Sequence, residues 1–231
     1  MPIPKNLMRL GLTFALIFVL EVPQAMAKCR DRPKPGVDWT RCEKERLILR
    51  AADLSGAVLE RTDLSESDMT DAKLAGAKLM QANLARTRLH GADLSGANMT
   101  KVRGDRTEFQ GANLSEVNLS KSELPRANLE GANLTGADLS KAEVGRAIFI
   151  DAQMSGANLV YAYLARAKFT GVVLDGVNLA GAYMLLTRFE GADLSDASGL
   201  TQEQIEIACG NGETKLPADI KTPTSWPCGD G

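Results

Sequence analysis

Apolar residues recur at every fifth position from Leu49 to Leu194. The thirty positions on that step hold 20 Leu, four Met, four Phe, Val144 and Gly104. Two residues before each of them, nineteen positions are Ala, and most of the others are Thr, Ser or Val. The remaining positions are mainly polar or Gly, so the unit reads A-(D/N)-L-(S/x)-(G/x). An α-helix does not carry this period: five steps of about 100° turn each Leu about 140° from the last, and the leucines define no face. A continuous strand fails as well, because residues an odd number apart point to opposite sides. What fits is a very short extended segment whose Ala and Leu share a face. A turn then aims the next pair inward, and each five-residue unit becomes one side of a closed coil.

The outer positions and the rarer core residues set the number of sides. Phe109, Phe149, Phe169 and Phe189 all fall on one step of twenty, as do Arg86, Arg106, Arg126, Arg146 and Arg166. Twenty residues per turn predict a square coil with like residues stacked about 4.8 Å apart. Thirty units then make about 7.5 coils and a rod about 36 Å long. The phenylalanines are expected to stack as a ladder in the core. Gly104, in "VRGDR", interrupts the central column and predicts a gap or a bulge. It reads either as a kink or as a notch that accommodates a ligand.

Stretches such as "ADLSGANMT" and "GANLTGADLS" resemble the pentapeptide-repeat family, from Leu49 to about Ala197. The resemblance implies an all-β fold, a right-handed quadrilateral β-helix. The flanks "CRDRPKPGVDWTRC" and "LTQEQIEIACGNGETKLP" resemble the ends of many exported bacterial members. They imply no biochemical activity. The expected organisation is a signal peptide over 1–27, an N-terminal cap over 28–48, the β-helix over 49–197, and a C-terminal cap with a short helix over 198–231.

The first 27 residues carry the marks of a secretory signal peptide: Lys5 and Arg9, an apolar run from Gly11 to Leu20, and Ala25-Met26-Ala27 as a cleavage site. The run is short for a bilayer span, so no stable membrane span is expected after cleavage. Lys28 sits where a lipoprotein box needs a small residue before Cys29. Cleavage after Ala27 would place the mature chain in the periplasm or outside the cell and move the net charge from -2 to about -3. All four cysteines, Cys29, Cys42, Cys209 and Cys228, flank the repeat. Three pairings are open. The long array between them favours Cys29–Cys42 and Cys209–Cys228, and an oxidising compartment preserves such bonds. A zinc site would need both ends of the rod to meet.

Both flanks are expected to cap the open ends of the coil, where unpaired backbone groups invite edge-to-edge aggregation. Thr201 and Gln204 form a capping box, with Leu200 and Ile205 at staple positions. The predicted helix spans about 202–208 and stops at Gly210. Trp226 is expected to lie over the last coil, and Trp39 over the first.

Composition narrows the chemistry. Only 5% of residues are aromatic while 44% are hydrophobic, so the core must be built from small and medium aliphatic side chains. His90 is the single histidine and falls at an outward position. No catalytic constellation, phosphate loop, cofactor motif or metal-binding motif is present in the sequence.

Two surface features stand out. Arg86, Arg106, Arg126, Arg146 and Arg166 are expected along one corner, with Lys101, Lys121 and Lys141 in a parallel row. Such rows suit an envelope polyanion. The alternative is a face neutralised by Glu123, Glu143 and Glu108. Val160, Tyr161, Tyr163, Tyr183, Leu185 and Leu186 form an apolar outward patch. It is either covered by the tail with Leu216, Ile220 and Trp226, or free for a protein partner or a homodimer.

The expected function is a non-enzymatic binding or scaffold protein of the bacterial envelope, presenting a rigid surface to a partner the sequence does not identify. Other family members imitate DNA and protect gyrase from quinolones, which makes that role an alternative. A secreted effector is another. The export signal, a charge near -3 and the basic corner argue against nucleic-acid or gyrase binding.

Overall fold

The computed structural model describes residues 28–229, so the expected signal peptide lies outside the described residues. The five backbone amides of one unit explain the motif. In the unit around Leu134, Ala132 N–H closes a turn onto Leu129 O at 3.0 Å. Asn133 N–H reaches back to Ala112 O, while Leu134 and Gly136 N–H reach forward to Gln153 O and Ser155 O. The fifth amide, that of Thr135, donates to Asn133 Oδ1 at 3.1 Å. Every donor therefore has a partner, as a backbone packed around an apolar core requires. The Asp or Asn of the consensus is there to satisfy the one amide that neither neighbouring coil can reach.

Parallel bridges join residues twenty apart on all four sides, and one column runs unbroken from Asp38 to Ser198 through eight bridges. The result is a right-handed quadrilateral β-helix. The first bridge joins Asp38 to Val58, so the coil begins ahead of Leu49, and much of the expected N-terminal cap is already coil. Trp39 takes the place of a central leucine there and is fully buried. Its indole N–H donates to Asp31 O at 3.2 Å, and Lys44 Nζ lies 4.3 Å above its ring.

The central Leu, Met and Phe residues are buried along the rod, with the Ala residues beside them. Burying one such Leu contributes about 1.5–3 kcal/mol. Phe149, Phe169 and Phe189 stack with ring centroids 4.5 and 5.4 Å apart. Leu129 separates Phe109 from that stack, so the aromatic ladder has three rungs. Gly104 neither bulges nor leaves a void in the core, although it lines a surface depression of about 230 Å³ with Arg103, Glu123 and Glu143. Bridges Asn83↔Arg103 and Arg103↔Glu123 keep the register. A Cβ at Gly104 would meet Thr107 Oγ1 and lie 2.6 Å from Leu124 Cδ2. Neighbouring side chains therefore fill the space of the missing one. Where Thr replaces Ala, its hydroxyl donates to a carbonyl of the preceding coil, as Thr87 does to Leu64 O at 2.9 Å.

Both ends are closed. Cys29–Cys42 and Cys209–Cys228 are the disulfides. Helix α1, Gln202–Glu206, has the expected capping box and a buried Ile205, but ends before Ala208. Gln204 Nε2 donates to the last-coil carbonyls of Leu179 and Ala182 at 3.0 and 2.9 Å, covering acceptors that no further coil reaches. Gly210 is not a left-handed helix stop. Its Cα lies under the indole of Trp226, where a Cβ would collide with the ring. Trp226 itself is partly buried against the end of the core and donates to Ala208 O at 2.8 Å.

Candidate functional site

The four sides of the coil are not equivalent. Side one is centred on Leu54, Leu74, Leu94 and Leu114, and side two on Leu59, Leu79, Met99 and Leu119. Both mostly follow the backbone rule: their bridging residues include Asp93, Asn113 and Asn133 on one, and Asn98, Asn118, Asp138, Asn158 and Asn178 on the other, with Lys73, Gln153 and Val173, and Val58 and Lys78, as departures. Side three is centred on Leu64, Leu84, Gly104 and Leu124, and side four on Met69, Leu89, Phe109 and Leu129. Their bridging residues are mixed, including Arg103, Glu123, Glu143, Tyr163 and Tyr183, then Arg88, Glu108, Ile148, Lys168 and Arg188.

The corners divide in the same way. From Gly36 to Gly191 every unit turns through a residue with positive φ, the region that suits glycine. Twelve of the fourteen positive-φ glycines occupy the corners between sides one and two and between sides four and one. The two corners bordering side three are different. They hold all eleven Arg and Lys residues among the nineteen non-glycine residues of positive φ. Arg86, Arg106, Arg126, Arg146 and Arg166 line one of these corners, after Arg46 and Glu66. Lys101, Lys121 and Lys141 line the other, after Arg41 and Arg61. A side chain in this region costs about 1–2 kcal/mol against the right-handed alternative. The chain thus places its cations where the backbone least tolerates them, on two corners out of four.

Neutralisation of these rows is partial, and it comes from other acids than the sequence pointed to. Glu66 lies 2.9 Å from Arg46 and 3.8 Å from Arg86. Asp105 lies 3.3 Å from Arg126 and 3.9 Å from Arg106. Glu108 pairs with His90 instead, at 2.8 Å. Among the described residues, no ion pair joins Glu123 or Glu143 to either row, and Lys101, Lys121, Lys141, Arg146 and Arg166 have no acid within 4.0 Å. The sequence did not single out Asp68. Its carboxylate is 3% exposed and accepts from Arg50 and Arg88 at 2.5 and 3.0 Å.

The apolar patch lies at the C-terminal end of side three. Tyr163 and Tyr183 stack, with centroids 5.3 Å apart. The ring of Tyr161 packs over Gly181, and that of Tyr163 against Gly145. Tyr161, Tyr163, Tyr183, Leu185 and Leu186 remain exposed, and Val160 is half-buried. The tail does not cover them, because Leu216 and Trp226 pack on the end of the core. Among the described residues, no group of three or more His, Cys, Asp or Glu side chains is arranged to hold a metal.

No curated protein matches this sequence. HetL and QnrB1 are among the solved structures that share the fold. HetL, a pentapeptide repeat protein involved in heterocyst differentiation regulation from the cyanobacterium Nostoc sp. Strain PCC 7120, is 24% identical with a TM-score of 0.50. That match covers 86% of this chain and 91% of HetL. A trypsin-treated form of QnrB1, a plasmid-mediated fluoroquinolone resistance protein, is 20% identical with a TM-score of 0.53, covering 78% of this chain and 84% of QnrB1. The pentapeptide-repeat model matches residues 48–84, 82–120, 112–149 and 147–184. With those matches over the stacked coils just described, the chain belongs to the pentapeptide-repeat family.

Proposed function

We propose that the mature chain is a non-enzymatic display scaffold of the bacterial envelope, and that sides three and four face an acidic partner. One observation carries this reading: departures from Asp or Asn at the bridging position are concentrated on sides three and four, with Val58, Lys73, Lys78, Gln153 and Val173 the departures on the other two between Asp38 and Asp193, and every positive-φ cation lies on the two corners bordering side three. Sequences break local rules where function demands it and keep them elsewhere. Backbone strain points the same way, since it persists where the surroundings enforce it and clusters at functional sites. A rigid stack of coils holds its charges in register without further ordering on binding. The signal-peptide pattern and two disulfides support an oxidising compartment.

QnrB1 does not extend its role to this chain. Its likeness is one of fold, and the basic corners here oppose the acidic surface a DNA mimic needs. The test compares matched pairs at equal net charge. Lys101→Gln/Lys121→Gln should elute from heparin at clearly lower salt than the unaltered protein. Lys73→Gln/Lys78→Gln, on sides one and two, should not. Equal losses from both pairs would refute a dedicated face. Fractionation of cells expressing the full chain checks the compartment.

A further inference from the structure

The arginine corner ends in a cavity of about 320 Å³ against the C-terminal cap, and four of its lining residues are cations: Arg146, Arg166, Lys168 and Arg188. Leu186 and the Cys209–Cys228 disulfide complete the wall. Arg146 and Arg166 occupy the same corner one coil apart, and Lys168 and Arg188 are paired by a bridge on side four. Cations one coil apart are separated at their Cα atoms by about 4.8 Å. Arg166 and Lys168, two residues apart, add a second spacing of about 6.6 Å. The four are staggered over three coils, with Arg146 one coil before Arg166 and Lys168 and Arg188 one coil after, and their long side chains line one cavity.

The charges in this cluster are scarcely compensated. Earlier along the rod, acids sit between cations: Glu66 between Arg46 and Arg86, Asp68 between Arg50 and Arg88, Asp105 beside Arg126. At the C-terminal end the pattern stops. Among the described residues, only Arg188 has an acid, Glu190 at 2.9 Å, while Arg146, Arg166 and Lys168 have none within 4.0 Å. Like charges about 5 Å apart repel by about 1–3 kcal/mol per pair in the dielectric near a protein surface. A bound dianion would remove that repulsion and accept donors from several guanidinium groups in fork geometry. Lys101 and Lys121 line a more open depression with Arg61 and Arg103, and there Glu123 supplies an acid in the lining.

We propose that this cavity binds a phosphate or sulfate group, held by Arg146, Arg166, Lys168 and Arg188. The proposal rests on the reading of sides three and four as the binding surface, and it gives the C-terminal end of that surface a specific ligand chemistry. Leu186 also belongs to the exposed apolar strip with Leu185 and Tyr183, so an ester with an apolar body has a surface to lie on. Because Cys228 is part of the wall, the cavity depends on the oxidised disulfide.

Calorimetric titration of the oxidised protein with inorganic phosphate at low salt is the test. Saturable binding at one site is expected, weakened at least tenfold by Arg166→Gln/Lys168→Gln. Neither residue has an ion pair to lose, so the variant should fold, and circular dichroism checks this. The pair Lys73→Gln/Lys78→Gln, on sides one and two, removes equal charge elsewhere and should leave phosphate binding within about twofold. No saturable binding, or equal weakening in both pairs, overturns the proposal. If phosphate binding fails while Lys101→Gln/Lys121→Gln still lowers heparin retention, the cavity is refuted and the basic face stands. Phosphatidylglycerol and phosphatidylcholine vesicles then separate sources. Binding to the first alone, competed by phosphate and lost in Leu185→Ser, assigns the group to a lipid headgroup. Phosphate binding without vesicle binding assigns it to a soluble ester.

Discussion

Replacing corner cations by glycine should stabilise this protein while removing charge from its proposed binding face. Lys121, Lys141 and Arg146 turn through φ of 58°, 58° and 62°. None donates a side-chain hydrogen bond or ion pair among the described residues, so their substitution breaks nothing. Their amides bond to Ser140 O, Val160 O and Ala165 O at 2.9 Å, and glycine keeps those bonds. Relief of the left-handed conformation is worth about 1–2 kcal/mol per site. Glycine also loosens the unfolded chain, which takes back about 0.4–1 kcal/mol. The net gain is about 0.5–1 kcal/mol per site, or about 2 kcal/mol for the triple variant. For a chain of this size that raises the melting temperature by about 4–8 °C. The control is the triple Gln variant, which removes the same three charges and keeps the strained backbone, and should differ from it by about this amount. Thermal melts with intact disulfides, followed by circular dichroism, give both numbers. Equal stability of the Gly and Gln triples would refute the argument that these cations are held at conformational cost.

Further outcomes follow from the same geometry. Asn133→Ala leaves the Thr135 amide without its side-chain acceptor and should cost about 1 kcal/mol in denaturant unfolding, whereas Asn133→Asp should be close to neutral. Gly104→Ala forces a Cβ against Thr107 and Leu124 and should destabilise by about 1–3 kcal/mol, part of which Thr107→Ala restores. Thr201→Ala removes the cap of α1 and should cost about 1 kcal/mol, read as faster proteolysis of the C-terminal cap. Acid should loosen both ends. Hydrogen bonds from Lys28 and Thr40 lower the Asp38 carboxyl from 3.8 to about 2, and those from Lys215 and Ser195 do the same for Asp193. Both carboxyls have a lower pKa folded than unfolded. Their contribution is complete well above pH 3.8 and fades as pH falls through 2. Melting temperature should therefore decline over that window, less steeply in Asp193→Asn, and an unchanged slope in that variant would count against the assignment.

The square coil was legible in the sequence because it rests on local arithmetic. A five-residue period excludes helix and strand, and a twenty-residue recurrence of Phe and Arg counts the sides. The capping box at Thr201 and Gln204 was legible for the same reason, since its partners lie three residues apart. The function of the Asp or Asn before each Leu was not, because it emerges only when the other four amides are seen to be taken by neighbouring coils. Gly104 misled for a related reason: whether a missing side chain leaves a void depends on Thr107 and Leu124, and Leu124 is one coil away. The arginine row was visible as a list, but its compensation by Glu66 and Asp105 depended on side-chain reach across coils. Glu123 and Glu143, close in sequence, do not pair with it. The cavity at the C-terminal end has walls from residues as distant as Arg146 and Cys228, joined by the cap and its disulfide. Sequence alone determined the period, the core and the capping box of the C-terminal helix, since those follow from short-range spacing and burial. Tertiary structure decided which corners carry strain, which cations stay unpaired and where they enclose space, since those depend on what the next coil brings alongside.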